Sequence, residues 1–216
     1  MKFSSLKQVA WDFTLVESPI PDSDPSNPGG LLVCDTLAGG VHRLDGDGTV
    51  LEVLLPGRRG IGGLATATGG GFVATGRDVV HVPAAGVQRE AQTLLTALPS
   101  ITGFNDLTVT PDSGLLIGAL RFRPLAGEAA RSGALVHRPG GRSADASVWD
   151  AETLTWPNGL AFSPDYRWLY AADFASGIVY RGRWNDGRSS AALAVMSGDV
   201  GRGSATTRSE DRGLIW

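Results

Sequence analysis

Cysteine is nearly absent from this 216-residue sequence, which contains only Cys34. One cysteine cannot form an internal disulfide bond, and it leaves no second thiolate for a zinc site or a Cys-x-x-Cys redox pair. Because Cys34 ends the apolar run Leu-Leu-Val-Cys, we predict that it is a small buried residue. The three histidines, His42, His81 and His137, are not spaced as metal ligands, and we expect them at ordinary strand positions.

An excess of positive charge is also missing. Nineteen Lys and Arg residues stand against 22 Asp and Glu, which leaves a net charge of −3, and the basic residues form no run. That balance argues against a nucleic-acid partner. No apolar run reaches the roughly 18 residues of a membrane span, and the first residues lack the apolar core of a signal peptide. We therefore expect a cytoplasmic protein with neither nucleic-acid nor membrane partners.

Glycine and proline are abundant, with 30 and 12 residues, beside a hydrophobic fraction of 42%. Turn-forming residues such as Asp-Gly, Pro-Asp-Ser-Gly and Pro-Gly-Gly separate short apolar or alternating runs, which is typical of β-strands. No amphipathic helix is convincing, and Arg89–Leu98 is the best candidate. The sequence therefore predicts an all-β fold with strands at Leu31–Asp35, Val41–Asp45, Val50–Leu55, Phe72–Thr75, Val79–Val82, Leu115–Leu120, Ala134–Arg138, Leu169–Ala172 and Ile178–Arg181.

Two segments of the chain look like copies of each other. Each begins with an asparagine, Asn105 or Asn158, and has Pro-Asp six residues later, between two strand-like runs. A weaker copy begins at Ile61, 44 residues before Asn105, and 53 residues separate the two asparagines. Periods of about 40 to 50 residues are typical of β-propeller blades. Since the innermost strands of successive blades face a common channel, the asparagines predict a metal site with oxygen ligands.

Several motifs, in order along the chain, carry a family resemblance. They are Glu17-Ser-Pro-Ile, Leu-Leu-Val-Cys-Asp, Gly-Gly-Val-His-Arg-Leu-Asp, Phe104-Asn-Asp and Pro157-Asn-Gly-Leu-Ala-Phe-Ser-Pro-Asp. Together, over about residues 15–197, they resemble the senescence marker protein (regucalcin), gluconolactonase and luciferin-regenerating enzyme family. The resemblance implies a six-bladed propeller with a divalent cation in its central channel. Calcium is the usual ion, with zinc, magnesium or manganese as alternatives, and many members hydrolyse lactones or related esters.

The resemblance also implies roles for individual residues. Glu17 looks like the anionic metal ligand of the first inner strand, and Asn158 looks like an asparagine ligand. Asn105 matches a channel asparagine that binds substrate or metal in different members. Asp106 is the only carboxylate next to a motif, and we expect it to assist the attacking water as the catalytic residue. Arg123 takes a substrate-binding position, where a guanidinium favours an anionic substrate.

Three positions depart from the family pattern. Gly103 stands where members often carry an arginine that holds sugar oxygens, which favours a smaller or more apolar ester over a sugar lactone. Arg123 stands where an acidic sugar contact is expected. Ala205 stands where the family has the aspartate that is both a metal ligand and the usual general base, and alanine can do neither.

The length of the chain also departs from a six-bladed fold. Blade-like units begin near Glu17, Ile61, Asn105 and Asn158, and a fifth would begin near Ala205. We expect an N-terminal strand or frayed segment over residues 1–14 and an incomplete propeller over residues 15–216. A truncated form of a longer protein is the leading interpretation, and a closed four-bladed propeller is the competing one.

These observations leave three functional hypotheses. The first is a calcium-dependent hydrolase of the lactonase or esterase type, acting on a small lactone or ester. The second is a non-catalytic propeller that binds a partner, which the missing aspartate at Ala205 favours. The third is an enzyme that hydrolyses organophosphates, because related calcium propellers combine two asparagine ligands with acidic ones.

Overall fold

The computed structural model describes Gln8 and residues 12–84, 90–141, 145–150, 152–185 and 188–197. These residues form four antiparallel sheets of four strands each. The described part of the chain contains no α-helix, and its one helical element is the 3-10 turn Pro124–Ala126. The prediction of an all-β fold is therefore confirmed.

Each sheet is made from four strands that follow one another along the chain. The first contains β1 (Val16–Pro21), β2 (Leu31–Asp35), β3 (Val41–Leu44) and β4 (Val50–Leu54). The second contains β5 (Leu64–Thr66), β6 (Phe72–Ala74), β7 (Val79–Val82) and β8 (Gln92–Leu95). The third contains β9 (Gly103–Val109), β10 (Leu115–Leu120), β11 (Ala134–Arg138) and β12 (Ser147–Asp150). The fourth contains β13 (Pro157–Phe162), β14 (Trp168–Asp173), β15 (Ile178–Asn185) and β16 (Arg188–Ser197).

The chain divides into two compact units. One comprises residues 1–74 and 81–91, and the other comprises residues 75–80 and 92–216. Within the first unit, the first strands of two sheets, β1 and β5, contact each other. Within the second unit, β9 and β13 do the same. In the first unit, therefore, one of the contacting strands carries a predicted site residue, and in the second unit both do.

Apolar side chains of the third and fourth sheets form the core of the second unit. Every residue of β10 is buried, which explains its uninterrupted apolar sequence. His137, only 4% exposed, packs against the rings of Trp149 and Trp184, with centroid distances of 5.3 and 5.5 Å. The buried members of this core are Leu116, Leu135, Leu154, Leu160, Leu169, Ala171, Tyr180 and Trp184.

The nine predicted strands are all present, and their ends agree within one residue except in the last, which extends four residues further, to Asn185. The predicted blade starts are confirmed too, because the four sheets begin at Val16, Leu64, Gly103 and Pro157. The best helix candidate instead forms strand β8 over Gln92–Leu95, as the outer strand of the second sheet. Cys34 is completely buried, as predicted, and the three histidines lie in strands β3, β7 and β11. Ala205 and the predicted fifth blade lie outside the described residues.

Candidate metal and substrate site

Four of the five predicted site residues lie in or next to β-bulges in the first strands of three sheets. In β9, Asn105 and Asp106 stand opposite the single residue Gly118, because Phe104 pairs with Ala119 and Leu107 with Ile117. The registers of β13 and β1 slip in the same way, just after Pro157 and Glu17 respectively. A bulge bends a strand and turns its side chains out of the regular alternation. Each of these strands therefore carries a partly buried candidate ligand within a bulge or directly before one.

Asn105 and Asp106 both reach from β9 to the backbone of β13. The Asn105 Nδ2 donates to the carbonyl oxygen of Pro157 at 3.0 Å. The Asp106 Oδ2 accepts the backbone N–H of Leu160 at 2.8 Å. These two hydrogen bonds lie on either side of Asn158. The second unit therefore brings together three of the predicted site residues.

The hydrogen bond of Asn105 determines which way its amide points. Only the nitrogen of an asparagine amide can donate to a carbonyl oxygen, so the Nδ2 must face Pro157. The Oδ1 of Asn105 then points away from that carbonyl. Amide oxygens are hard ligands of the kind that calcium accepts together with carboxylates and water. With Asn158 partly buried in the adjoining bulge, the donor chemistry of this junction fits a divalent cation.

Asp106 is partly buried beside this junction. Loss of solvent raises the pKa of its carboxyl to about 6, and backbone N–H groups, chiefly that of Leu160, oppose the rise. The carboxylate therefore already has a structural partner in β13. Its predicted catalytic role stays a prediction.

Glu17 belongs to the first unit, where its strand is anchored by neighbouring backbone. The Cys34 Sγ lies 3.3 Å from the carbonyl oxygen of Glu17, and the Ser18 hydroxyl donates to the carbonyl oxygen of Gly62 at 3.1 Å. Burial, and secondarily the charge of Glu17, raise the pKa of the Cys34 thiol to about 12. Ser18 has a φ of 52°, an uncommon conformation for a residue other than glycine. The backbone turns sharply just after Glu17 as a result.

Arg123 lines an open depression in the second unit. Its side chain is 69% exposed and forms an ion pair with Glu128, with the Nε 2.7 Å from Oε1. Gly103 pairs with Leu120, so the depression lies at the end of the third sheet where β9 begins. Three guanidinium groups and one carboxylate leave it with two net positive charges (3 − 1). The lining residues are Thr102, Arg121, Arg123, Glu128, Ala129 and Arg131.

Of the three arginines in this depression, only Arg123 is predicted from the sequence, and Arg121 and Arg131 are found in the structure. Both arginines flank the segment 122–130, and their shared surface depends on how that loop folds. Two buried aspartates that are not among the predicted site residues, Asp35 and Asp173, end strands β2 and β14. A signal for them exists in the sequence, because each follows a run of four mainly apolar residues at the same place in its blade.

The described residues contain no group of three or more His, Cys, Asp and Glu side chains placed to hold a metal ion. The amide oxygens of Asn105 and Asn158 are ligands of a different kind. No helix in the described part of the chain has the length and apolar character needed to cross a membrane.

Comparison with known proteins decides the family. The model of the SMP-30/Gluconolactonase/LRE-like region matches residues 16–204. The chain belongs to this family. A 6-deoxy-6-sulfogluconolactonase of Pseudomonas putida is 35% identical over 155 residues, which are 70% of this chain and 50% of that protein. The chain thus spans about half the length of this curated relative.

Solved structures of the family share its fold. A gluconolactonase from Xanthomonas campestris has a TM-score of 0.64 and 24% identity, over 86% of this chain and 61% of that one. A calcium-binding regucalcin from Agrobacterium tumefaciens has a TM-score of 0.62 and 22% identity, over 85% of this chain and 59% of that one. The four sheets are therefore blades of a β-propeller fold, as predicted from the sequence.

Proposed function

We propose that this chain acts as a divalent-cation-dependent lactone hydrolase of the gluconolactonase type. Family membership supports the reaction class, and the names of the relatives support a lactone as the substrate. The observation that carries the proposal is the junction of β9 and β13, where Asn105 turns its amide oxygen away from Pro157 beside Asn158. Calcium is the ion we propose, because two amide oxygens suit a hard cation.

In this proposal each residue has a separate task. Asn105 and Asn158 would hold the cation with their amide oxygens, and Glu17 is the carboxylate that the sequence resemblance adds. A bound cation supplies Lewis-acid polarisation of the lactone carbonyl. Asp106 takes the proton of the water whose oxygen bonds to the carbonyl carbon. The ring C–O bond then breaks, and the ring oxygen leaves as a hydroxyl group by taking up the proton that Asp106 removed from the water.

We further propose that the lactone carries an anionic group. The net positive charge around Arg123 and Arg131, at the end of the sheet that presents Asn105, supports this. The sulfonated sugar in the name of the Pseudomonas putida relative fits the same charge. Gly103, by contrast, favours a small ester, because glycine cannot hold sugar oxygens. A charged lactone is compatible with both Gly103 and the positive depression, because arginine contacts to the anionic group can supply the affinity that contacts to sugar hydroxyl groups would otherwise give.

The first experiment measures hydrolysis of gluconolactone and 6-phosphogluconolactone by the chain, with added calcium or with EDTA. We expect calcium-dependent turnover that is abolished in N158A and E17Q. V50A, which alters an exposed residue of β4, should keep it. Absence of turnover on every lactone, with a folded chain, would contradict the proposed function and favour a non-catalytic binding propeller.

A pair of variants tests the anionic group separately. R123Q and E128Q break the same ion pair but change the charge of the depression in opposite directions. We expect R123Q to raise KM for the phosphorylated lactone and E128Q to lower it, while KM for neutral gluconolactone changes little in both. Equal effects on the two substrates would refute recognition of an anion here. A cytoplasmic location and the absence of nucleic-acid and membrane partners stay predictions from the composition.

A further inference from the structure

Two buried carboxylates occupy the same place in the first and fourth sheets. Asp35 is the last residue of β2 and Asp173 is the last residue of β14. Their exposed fractions are 1% and 2%. Burying a carboxylate is costly unless hydrogen bonds compensate for the lost water. The hydrogen-bond partners of the two carboxylates therefore indicate which parts of the chain these side chains hold in place.

Asp35 binds the segment that leads into β1. Its Oδ2 accepts the backbone N–H of Thr14 at 2.7 Å, and its Oδ1 accepts that of Leu15 at 3.2 Å. The Oδ1 also accepts the N–H groups of Leu37 and Ala38, in the turn after β2, at 3.1 and 2.9 Å. One side chain thus ties the entry of β1 to the turn after β2.

Asp173 makes the same set of contacts around β13. Its Oδ1 accepts the backbone N–H groups of Thr155 at 3.0 Å and Trp156 at 2.5 Å. Its Oδ2 accepts the N–H of Ser176, in the turn after β14, at 3.1 Å. The entry of the first strand is again tied to the turn after the second strand.

The spacing to the candidate ligands is identical in the two sheets. Thr14 and Leu15 lie three and two residues before Glu17, and Thr155 and Trp156 lie three and two residues before Asn158. On the other side, the residues that directly follow the ligands, Ser18 and Gly159, have left-handed φ values of 52° and 83°. In both strands, the candidate ligand is held between a bound entry segment and a left-handed turn of the backbone.

The third sheet shows that a first strand can form without such a carboxylate. There Phe104, the residue before Asn105, pairs with Ala119, whereas the residues before Glu17 and Asn158 pair with Asp35 and Asp173. Asn105 is instead oriented by its own contact with β13. The aspartates therefore accompany two of the three first strands that carry candidate ligands, and pairing of a first strand with its neighbour does not by itself require them.

We propose that Asp35 and Asp173 are positioning residues, each of which holds the entry of its own first strand, β1 or β13, so that the candidate ligand of that strand, Glu17 or Asn158, can bind a divalent cation. This inference rests on the proposed function. Neither aspartate contacts the cation in this account, and each acts through the backbone of the strand that carries a ligand. Residues that orient metal ligands typically change metal affinity by 10- to 100-fold when they are replaced.

The test measures calcium affinity by calorimetry on the folded chain. D173A removes the oxygen that accepts both strand-entry N–H groups, together with the acceptor of Ser176, and we expect calcium to bind at least about tenfold more weakly. D173N keeps one oxygen for Thr155 and Trp156, and we expect it to restore affinity to within about threefold of wild type. L169A removes a fully buried side chain of the same strand β14, and it provides a matched control that loses stability but keeps calcium affinity.

Hydrogen exchange adds a readout that does not depend on the cation. We expect the amides of residues 155–158 to exchange faster in D173A than in either L169A or D173N. Because D173A can fail to fold, D35A and D35N repeat the comparison at Glu17.

The outcomes separate the two proposals. A wild-type chain that binds no calcium overturns the proposed cation site and this role with it. Wild-type binding together with unchanged affinity in folded D173A and D35A overturns the positioning role alone. Equal losses of affinity in L169A and D173A also overturn it, because the effect would then follow from stability.

Discussion

Gly118→Ala is the sharpest test of how the third and fourth sheets pack in the second unit. Gly118 lies in β10, opposite the bulge formed by Asn105 and Asp106. A Cβ at this position would lie 2.9 Å from both the Cβ and the carbonyl oxygen of Pro157. Carbon atoms in ordinary contact are about 3.5–4.0 Å apart. Pro157 must therefore move by about half an ångström or more, or the strand β10 must do so.

The cost of that movement follows from general measurements of overpacking. One extra methyl group in a well-packed region costs about 1–3 kcal/mol. For a chain of this size, each kcal/mol lowers Tm by about 2–4 °C, so we expect a Tm roughly 2–12 °C below that of the wild type. The displaced carbonyl of Pro157 is also the acceptor of the Asn105 amide, so the variant should lose calcium affinity as well as stability.

Thermal unfolding followed by circular dichroism measures the first effect. Gly69→Ala is the matched control, because a Cβ there meets no atom within 4 Å and its backbone is not left-handed. We expect G69A to unfold at or slightly above the wild-type temperature, since alanine reduces the freedom of the unfolded chain. Equal Tm values for G118A and G69A would refute the close approach of β10 and Pro157.

Three further predictions concern groups outside the candidate site. Burial lowers the pKa of His137, so the unfolded chain binds a proton more readily, and stability should fall as the pH drops below about 6.5. Urea unfolding at pH 7.5 and 5.5 checks this, and H137L should have a weaker pH dependence. The Cys34 thiol, with its pKa raised to about 12, should not react with Ellman's reagent at pH 8 until the chain is unfolded. Arg43 lies between the nearly buried carboxylates of Asp22 and Asp24, at 2.7 Å from each. R43M removes the cationic partner of both carboxylates, and we expect a lower urea midpoint than that of the wild type, whereas an unchanged midpoint would contradict a stabilising role for this contact.

Much of the fold was predictable because each blade repeats a local pattern. Runs such as Leu115–Leu120 and Leu31–Asp35 alternate with turn residues, and local propensity suffices to locate them. Strand β8 was harder to predict from the sequence, because its short apolar segment also fits one turn of a helix. It is a strand because it extends an existing sheet, and sheet pairing depends on residues distant in the sequence.

The sequence was enough to predict which residues form the candidate site, but it did not predict most of the contacts that these residues make. The motifs around Asn105 and Asn158 indicate oxygen ligands, and the described structure brings both asparagines to one junction of strands. The sequence did not indicate that Asp106 binds the backbone of Leu160, because this contact spans 54 residues and depends on two bulges. The arginines of the depression around Arg123 were overlooked for the same reason, since a folded loop brings them together.

The sequence by itself determined the family, the order of the strands and the kinds of side chain available for chemistry. Those properties follow from short motifs and from the alternation of apolar and polar residues. Only the tertiary structure decided which way the Asn105 amide faces and that Asp35 and Asp173 hold the entries of β1 and β13. The physical reason is that a hydrogen bond needs its donor and acceptor within about 3 Å, and strand register and bulges bring distant residues that close.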